Sequence, residues 1–172
     1  VNLIGIVGQK RSGKSTASQY FIHNHNAKSF GFAEPIRNML RGLGLTDREL
    51  YGDLKEVPCD KLSGQTPRYA MQRLGDEWGR FLMHEKFWID RIDECTDFSQ
   101  LLVCDDVRRQ NEADYIKSKG GMTIKIVRPG LVSNDSHGSE IEVDSIVCDY
   151  TIVNDATVTN MYYKLSQIAS YH

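Results

Sequence analysis

Gly8-Gln9-Lys10-Arg11-Ser12-Gly13-Lys14-Ser15 fits the pattern G-x-x-x-x-G-K-[ST]. Residues of these types at this spacing do phosphate chemistry. The glycines let the backbone bend so that successive N–H groups point into one cavity, and a helix beginning there adds its partial positive charge. Lys14 has the reach to touch β- and γ-phosphates, and the Ser15 hydroxyl suits Mg²⁺. The loop Gly8–Thr16, with Lys10, Arg11, Ser12 and Gly13 inside it, is therefore expected to bind a nucleoside triphosphate. Asp105 and Asp106 follow the apolar run Leu101-Leu-Val-Cys104 and are the expected acidic partners of the same ion. Neighbouring side chains of an extended chain point to opposite sides, so one of the two is expected to face the metal directly. Arg37, Arg68, Arg108, Arg109 and Arg128 all fall near strand ends or helix starts. Open α/β sheets bind ligands at the carboxyl edge, and arginines converging there suit a second anionic substrate.

These residues need elements to hold them. Asn2–Val7 reads as a buried strand, and the helix after the loop continues from Thr16 through Ile22. Ala27–Phe32 reads as a short second strand. Ala33-Glu34-Pro35 opens a helix with proline at an early position, closed by Gly42 and Gly44. Thr46-Asp47-Arg48-Glu49 has capping-box spacing, and Asp53–Gln65 reads as a polar loop. Thr66-Pro67 starts a helix whose apolar face comprises Ala70, Met71, Leu74, Trp78, Phe81 and Leu82. A further helix, Phe87–Cys95, places Trp88, Ile89 and Ile92 in the core. Leu101–Cys104, Met122–Val127 and Tyr150–Val153 complete the strands, with helices over Asn111–Lys119 and from Val158 to Ala169. Strands alternating with helices predict a parallel sheet with helices on both faces. The polar stretch Pro129–Asp144 interrupts this rhythm and reads as a lid.

A chain of 172 residues suits one domain. No apolar run approaches the ~20 residues that span a bilayer, and no basic segment precedes the first strand, so neither membrane anchor nor signal peptide is expected. Cys59, Cys95, Cys104 and Cys148 are widely spaced, with no C-x-x-C pair, which argues against a disulfide framework or structural zinc and favours a reducing cytoplasm. A net charge of −2 supplies no general attraction to nucleic acid.

Taken together, the motifs closely resemble those of the bacteriophage-type deoxynucleoside monophosphate kinases, a branch of the P-loop nucleoside monophosphate kinases. The resemblance rests on Gly5–Ser15, Phe32-Ala-Glu-Pro-Ile-Arg37, Thr66-Pro-Arg68, Leu74-Gly-Asp-Glu-Trp-Gly-Arg80, Phe87-Trp88, Asp106-Val-Arg108 with Asn111-Glu-Ala113, Arg128-Pro129 and His137-Gly-Ser-Glu140. These segments run in the family's order along nearly the whole chain. Glu34 stands where the family has Asp and Arg37 where it has Lys, so charge is kept and reach changes.

The resemblance implies a P-loop kinase fold with an α/β sheet of about five parallel strands and a small lid. It implies a single domain over residues 1–172, with a helical acceptor-binding insertion at 34–100 and the lid at 129–144. It implies transfer of the γ-phosphoryl group of ATP, with Mg²⁺, to a deoxynucleoside 5′-monophosphate. Lys14, Arg37, Arg68 and Arg108 would be catalytic. Arg128 and Asn154 would join the loop at the donor nucleotide. Glu34, Glu77, Trp78 and Trp88 would join the arginines at the acceptor. Ser15, Asp105 and Asp106 would serve the metal. The expected partners are nucleotides, with no nucleic acid, no membrane and a homodimer allowed, in the cytoplasm (of a host cell if phage-encoded). A dephospho-coenzyme A kinase-like enzyme is the alternative with the same edge chemistry. A nucleotide-dependent switch would leave the arginines without a task.

Overall fold

Leu3–Val7 forms β1, buried along its whole length because it is paired on both sides. A computed structural model describes residues 2–131 and 142–170. Within them β1 is joined by β2 (Lys28–Phe30), β3 (Leu102–Val107), β4 (Met122–Val127) and β5 (Tyr150–Val153). The five strands pair in parallel in the order β2-β3-β1-β4-β5. The parallel sheet read from the sequence is present, with β2 shorter than the expected Ala27–Phe32.

α1 (Lys14–His25) and the closing helix, α7 (Val158–Ala169), cover one face. Ala17, Tyr20 and Phe21 of α1 and Met161 and Leu165 of α7 share a core with Ile4, Ile6, Val103, Ile124, Ile126 and Ile152 of the strands. The other face takes α6 (Gln110–Ser118), which comes so close that a Cβ on Gly5 would lie 2.5 Å from Ile116 Cδ1. That approach explains a glycine in the middle of a buried strand.

By contacts the chain divides into two units, one made of the residues up to Gly31 and from Asp97 onward, the other Phe32–Thr96. The second is helical. α2 (Glu34–Gly42), α3 (Asp47–Leu50), α4 (Pro67–Gln72) and α5 (Phe87–Cys95) enclose Ile36, Leu40, Leu45, Leu50, Met71 and Trp88. The expected caps are made. Thr66 Oγ1 accepts from the Tyr69 N–H at 3.1 Å, and Glu49 Oε2 accepts from the Thr46 N–H and hydroxyl at 2.6 and 2.8 Å. Lys61, on a short 3₁₀ turn (Asp60–Leu62) inside the expected polar loop, pairs with Glu49 at 2.9 Å.

The expected apolar face of the helix after Thr66 is corrected at Phe81 and Leu82. From Arg73 to Met83 the helix continuing α4 widens, its hydrogen bonds reaching back five residues instead of four. The apolar stripe assumed a 3.6-residue period, so the widening turns Phe81 and Leu82 out to 85% and 62% exposure. Met71 is buried as expected, with Ala70, Leu74 and Trp78 packed against the core, and Gly75 and Gly79, four and eight residues on from Met71, are buried too. A Cβ on Gly79 would run into the Trp88 indole, which is why the helix presents bare backbone to that ring.

Of the expected lid, 132–141, with His137 and Glu140, lies outside the described residues. Val143–Ser145 after it forms a 3₁₀ turn with Val143 buried. Among the described residues no helix is long and apolar enough to cross a membrane.

Candidate functional site

The loop between β1 and α1 turns on two glycines in the left-handed region. Gly8 has φ 157° and Gly13 φ 110°. A Cβ on Gly8 would lie 2.5 Å from the Ile126 carbonyl oxygen, and one on Gly13 would lie 2.6 Å from Asn154 Nδ2. Both positions therefore require glycine on steric as well as conformational grounds. Arg11, between them, is also left-handed at φ 68°. The Ser12 N–H donates to the Gln9 carbonyl at 3.1 Å, closing the turn.

α1 begins at Lys14, two residues earlier than expected, so Lys14 and Ser15 occupy its first turn. Lys14 Nζ donates to the Gln9 carbonyl at 2.8 Å, which folds the side chain over the loop. Burial, and then the neighbouring Arg108 guanidinium, lower its pKa to about 8 against the opposing pull of Asp105 and Asp106. Lys14, Arg108 and both aspartates thus share one electrostatic neighbourhood. The Ser12 hydroxyl is buried and, among the described residues, has no hydrogen-bond partner.

Asp105 and Asp106 are part of β3, which runs on to Val107 rather than ending at Cys104. Gly5 pairs with Cys104 and Val7 with Val107, so β3 spends one residue more than β1 between the two pairs. This bulge falls at the aspartates. Strict alternation of side chains does not hold across a bulge, and the charges of both carboxylates favour the protonated form of Lys14. Asp106 Oδ1 also accepts from the Cys104 thiol at 3.0 Å.

Past the strand, the N–H groups of Arg108 and Arg109 donate to the buried Glu112 carboxylate at 2.8 and 3.2 Å. The sequence reading did not give Glu112 a role. Its signal was local: an acid three residues into a helix start, where it satisfies donors the helix leaves open. Arg109 pairs with Glu142 at 3.0 Å.

The remaining donor-side expectations are placed as follows. Asn154 Nδ2 donates to the Ser12 carbonyl at 2.8 Å, so its side chain braces the loop. Arg128 is exposed with Nη1 3.5 Å from the Arg11 carbonyl. Lys10 and Ser15 are exposed and Thr16 half-buried.

These groups fit a polyphosphate. Backbone bare of side chains, a helix N-terminus, a half-buried lysine and an unmet buried hydroxyl meet at one loop. Among the described residues no group of three or more His, Cys, Asp or Glu is arranged to hold a metal. Mg²⁺ does not need one, because it keeps several waters and completes its shell with substrate phosphates. Ser15, Asp105 and Asp106 are of the types that this mode of binding uses.

The second unit holds the other predicted residues, and not all of them in one place. Glu34 accepts from Arg41 Nη1 at 2.9 Å and from Arg37 Nη1 at 3.3 Å, and Tyr51 Oη lies 2.6 and 2.8 Å from its two oxygens. Burial alone would raise the Glu34 pKa, but the hydrogen bonds from Tyr51, Arg41 and Arg37 outweigh it and hold the carboxyl below its usual value. Arg41 and Tyr51 were absent from the expected set. Arg41 was findable, since positions 34, 37 and 41 share one helix face. Tyr51, on the far end of α3, had no local signal.

Arg68 sits 3.5 Å from Glu56, with its N–H bonded to the Lys55 carbonyl at 2.9 Å. Glu77 is exposed and paired with Arg73 one helical turn away. Trp78 is half-buried, edge-on to Phe87. Trp88 is 1% exposed, with Nε1 donating to the Gly75 carbonyl at 2.8 Å. That ring is core, and the reading of Trp88 as an acceptor-binding residue is corrected accordingly.

The comparisons with known proteins agree with one another. The structure resembles shikimate kinases from Aquifex aeolicus (TM-score 0.55, 14% identity, 98% of this chain and 96% of that one) and Acinetobacter baumannii (TM-score 0.54, 14% identity, 99% and 94%). At that identity the likeness concerns the fold alone. In sequence, a relative from Acanthamoeba polyphaga mimivirus is 38% identical over 95% of this chain and 93% of its own. The deoxynucleotide monophosphate kinase of Enterobacteria phage T4 is 22% identical over 96% of this chain and 97% of its own. The model of the family described as deoxynucleotide monophosphate kinase matches residues 2–64 and 54–165. This chain belongs to the deoxynucleotide monophosphate kinase family.

Proposed function

We infer that the protein transfers the γ-phosphoryl group of ATP to a deoxynucleoside 5′-monophosphate, giving the diphosphate. The observation that carries this reading is the glycine loop, with Lys14 folded over it and Asp105 and Asp106 on the strand paired beside β1, in a chain of this family. A phosphate monoester has its second pKa near ~6, so the acceptor is already a dianion at neutral pH and needs no general base. The task is to bring two polyanions into line and to neutralise the charge that spreads over the transferring group.

Each residue then has a part. The backbone of Gly8–Thr16 and the Lys14 ammonium hold the donor phosphates. Ser15 and the aspartates of β3 would hold Mg²⁺, which when bound neutralises charge on the β- and γ-phosphate oxygens. Asn154 and Glu112 act on the framework, one bracing the loop and the other fixing the turn from which Arg108 projects. Arg108, whose charge acts on Lys14, takes the transferring group. Arg37 and Arg68, with Glu34, take the acceptor.

A coupled assay of ATP–Mg²⁺ against each deoxy- and ribonucleoside monophosphate and against dephospho-coenzyme A tests the reading. Deoxynucleoside monophosphates are expected to support turnover and dephospho-coenzyme A none; the reverse pattern overturns it. Arg68→Lys keeps the charge and loses the planar fork, so the acceptor KM should rise about tenfold while the KM for ATP holds. Arg108→Lys should act mainly on kcat, because it removes contacts made to charge that develops during transfer. If both variants weaken only ATP binding, the acceptor assignment is wrong.

A further inference from the structure

The Tyr51 side chain makes more contacts with the charged groups of α2 than any ordinary surface tyrosine requires. Its hydroxyl lies within hydrogen-bond distance of both Glu34 oxygens, at 2.6 and 2.8 Å, and accepts from Arg41 Nη2 at 3.0 Å. The ring lies under the Arg37 guanidinium, 4.6 Å from its central carbon, with Arg41 at 5.5 Å. Arg41 is held further by Asn38 and by Asp47 at 3.1 Å. Yet Tyr51 itself is 48% exposed and adds little to the apolar core.

We propose that Tyr51 is a positioning residue of the acceptor site, its ring orienting the Arg37 guanidinium and its hydroxyl fixing Glu34. The proposal rests on the reading of Arg37 and Glu34 as acceptor residues. Its physical basis is entropy. A free arginine side chain samples many rotamers, and each must be given up when a phosphate is gripped. An aromatic face against the guanidinium selects among those rotamers in advance, and it leaves the in-plane N–H edges to hydrogen-bonding partners, as Nη1 is given to Glu34 at 3.3 Å. The hydroxyl does the same for the carboxylate. Helix α2 supplies the charged groups and the turn after α3 supplies the template that aligns them.

The test is a double-mutant cycle with steady-state kinetics in each substrate. Tyr51→Phe keeps the ring and should raise the acceptor KM about 2- to 3-fold; Tyr51→Leu removes both functions and should raise it about tenfold or more, with the KM for ATP within about twofold in each case. Arg37→Ala should raise the acceptor KM on its own, and adding Tyr51→Leu to it should bring only the further loss of about 2- to 3-fold that the hydroxyl contributes through Glu34, well short of the effect of Tyr51→Leu alone. If Arg37→Ala raises the acceptor KM and Tyr51→Leu does not, Tyr51 does not position Arg37. If Arg37→Ala leaves the acceptor KM unchanged, the acceptor reading of Arg37 falls first and the role of Tyr51 with it. A Tyr51→Leu protein with a lower melting temperature, lower kcat and unchanged acceptor KM marks the residue as structural and overturns the proposal.

Discussion

Lys14 is held where its own charge is disfavoured: burial and the Arg108 guanidinium bring its pKa down to about 8. For a phosphate ligand this is an advantage in reserve, because a polyanion restores what burial removed and binding favours the protonated lysine. The sign of the pH dependence follows. Below about pH 8 the free protein carries the ammonium, and affinity for ATP stays level apart from the ligand's own titration. Above it the free protein loses the proton that binding needs, so the dissociation constant should rise up to about tenfold per pH unit. Direct binding measurements between about pH 6 and pH 10 check this, and an unperturbed lysine, titrating near 10.4, would leave the curve flat through most of that range. The residue scale also shows the limit of identity alone. Trp78 and Trp88 are the same amino acid on neighbouring elements, but only Trp88 is sealed into the core with its N–H spent on Gly75.

At the scale of elements, the helix following Thr66 is the informative case. Its start was legible, because a threonine cap and a proline at the first position act within four residues. Its far half was not, because a widened helix leaves no mark in a pattern read at 3.6 residues per turn. The glycines of that half mark the close approach. Gly79→Ala forces a methyl group into the Trp88 indole and should cost about 1–3 kcal/mol by overpacking. In a chain of this size that lowers the melting temperature by about 2–12 °C. Gly42→Ala at the end of α2 meets nothing within 4 Å and should be neutral or slightly stabilising. Thermal melts of the two variants side by side decide the matter; equal melting temperatures would mean that Gly79 is not a packing glycine.

Across the whole molecule, the residues proposed for the donor lie in the sheet-bearing unit, and those proposed for the acceptor, other than Arg108, lie in the helical one. On the proposed reading, phosphoryl transfer draws on both sets. ATP alone fills only the first, and water then has to serve as nucleophile without the arginines of the second. Loss of ATP in the absence of a monophosphate should therefore run at least about a hundredfold below kinase turnover. A phosphate-release assay with and without acceptor measures the ratio. Comparable rates would point to a nucleotide-hydrolysing switch, against the family to which the chain belongs.

Whatever depends on residues adjacent in the chain could be read from the sequence by itself. The glycine loop, its lysine and serine, the caps at Thr46 and Thr66 and the apolar strands are all decided by backbone sterics and hydrogen bonds that close within a few residues. The family resemblance was legible for the same reason, since it is built from short motifs in a set order. Only the tertiary structure decided what depends on partners far apart in sequence. The bulge of β3 at Asp105 and Asp106 is a matter of its register against β1, a strand about 100 residues away in the chain. The lowered pKa of Lys14 needs the burial that folding brings, with Arg108 close by. Tyr51 meets Glu34 and Arg37 because α3 folds back beside α2. Charge and aromatic contacts act through space at a few ångströms and take no account of separation along the chain.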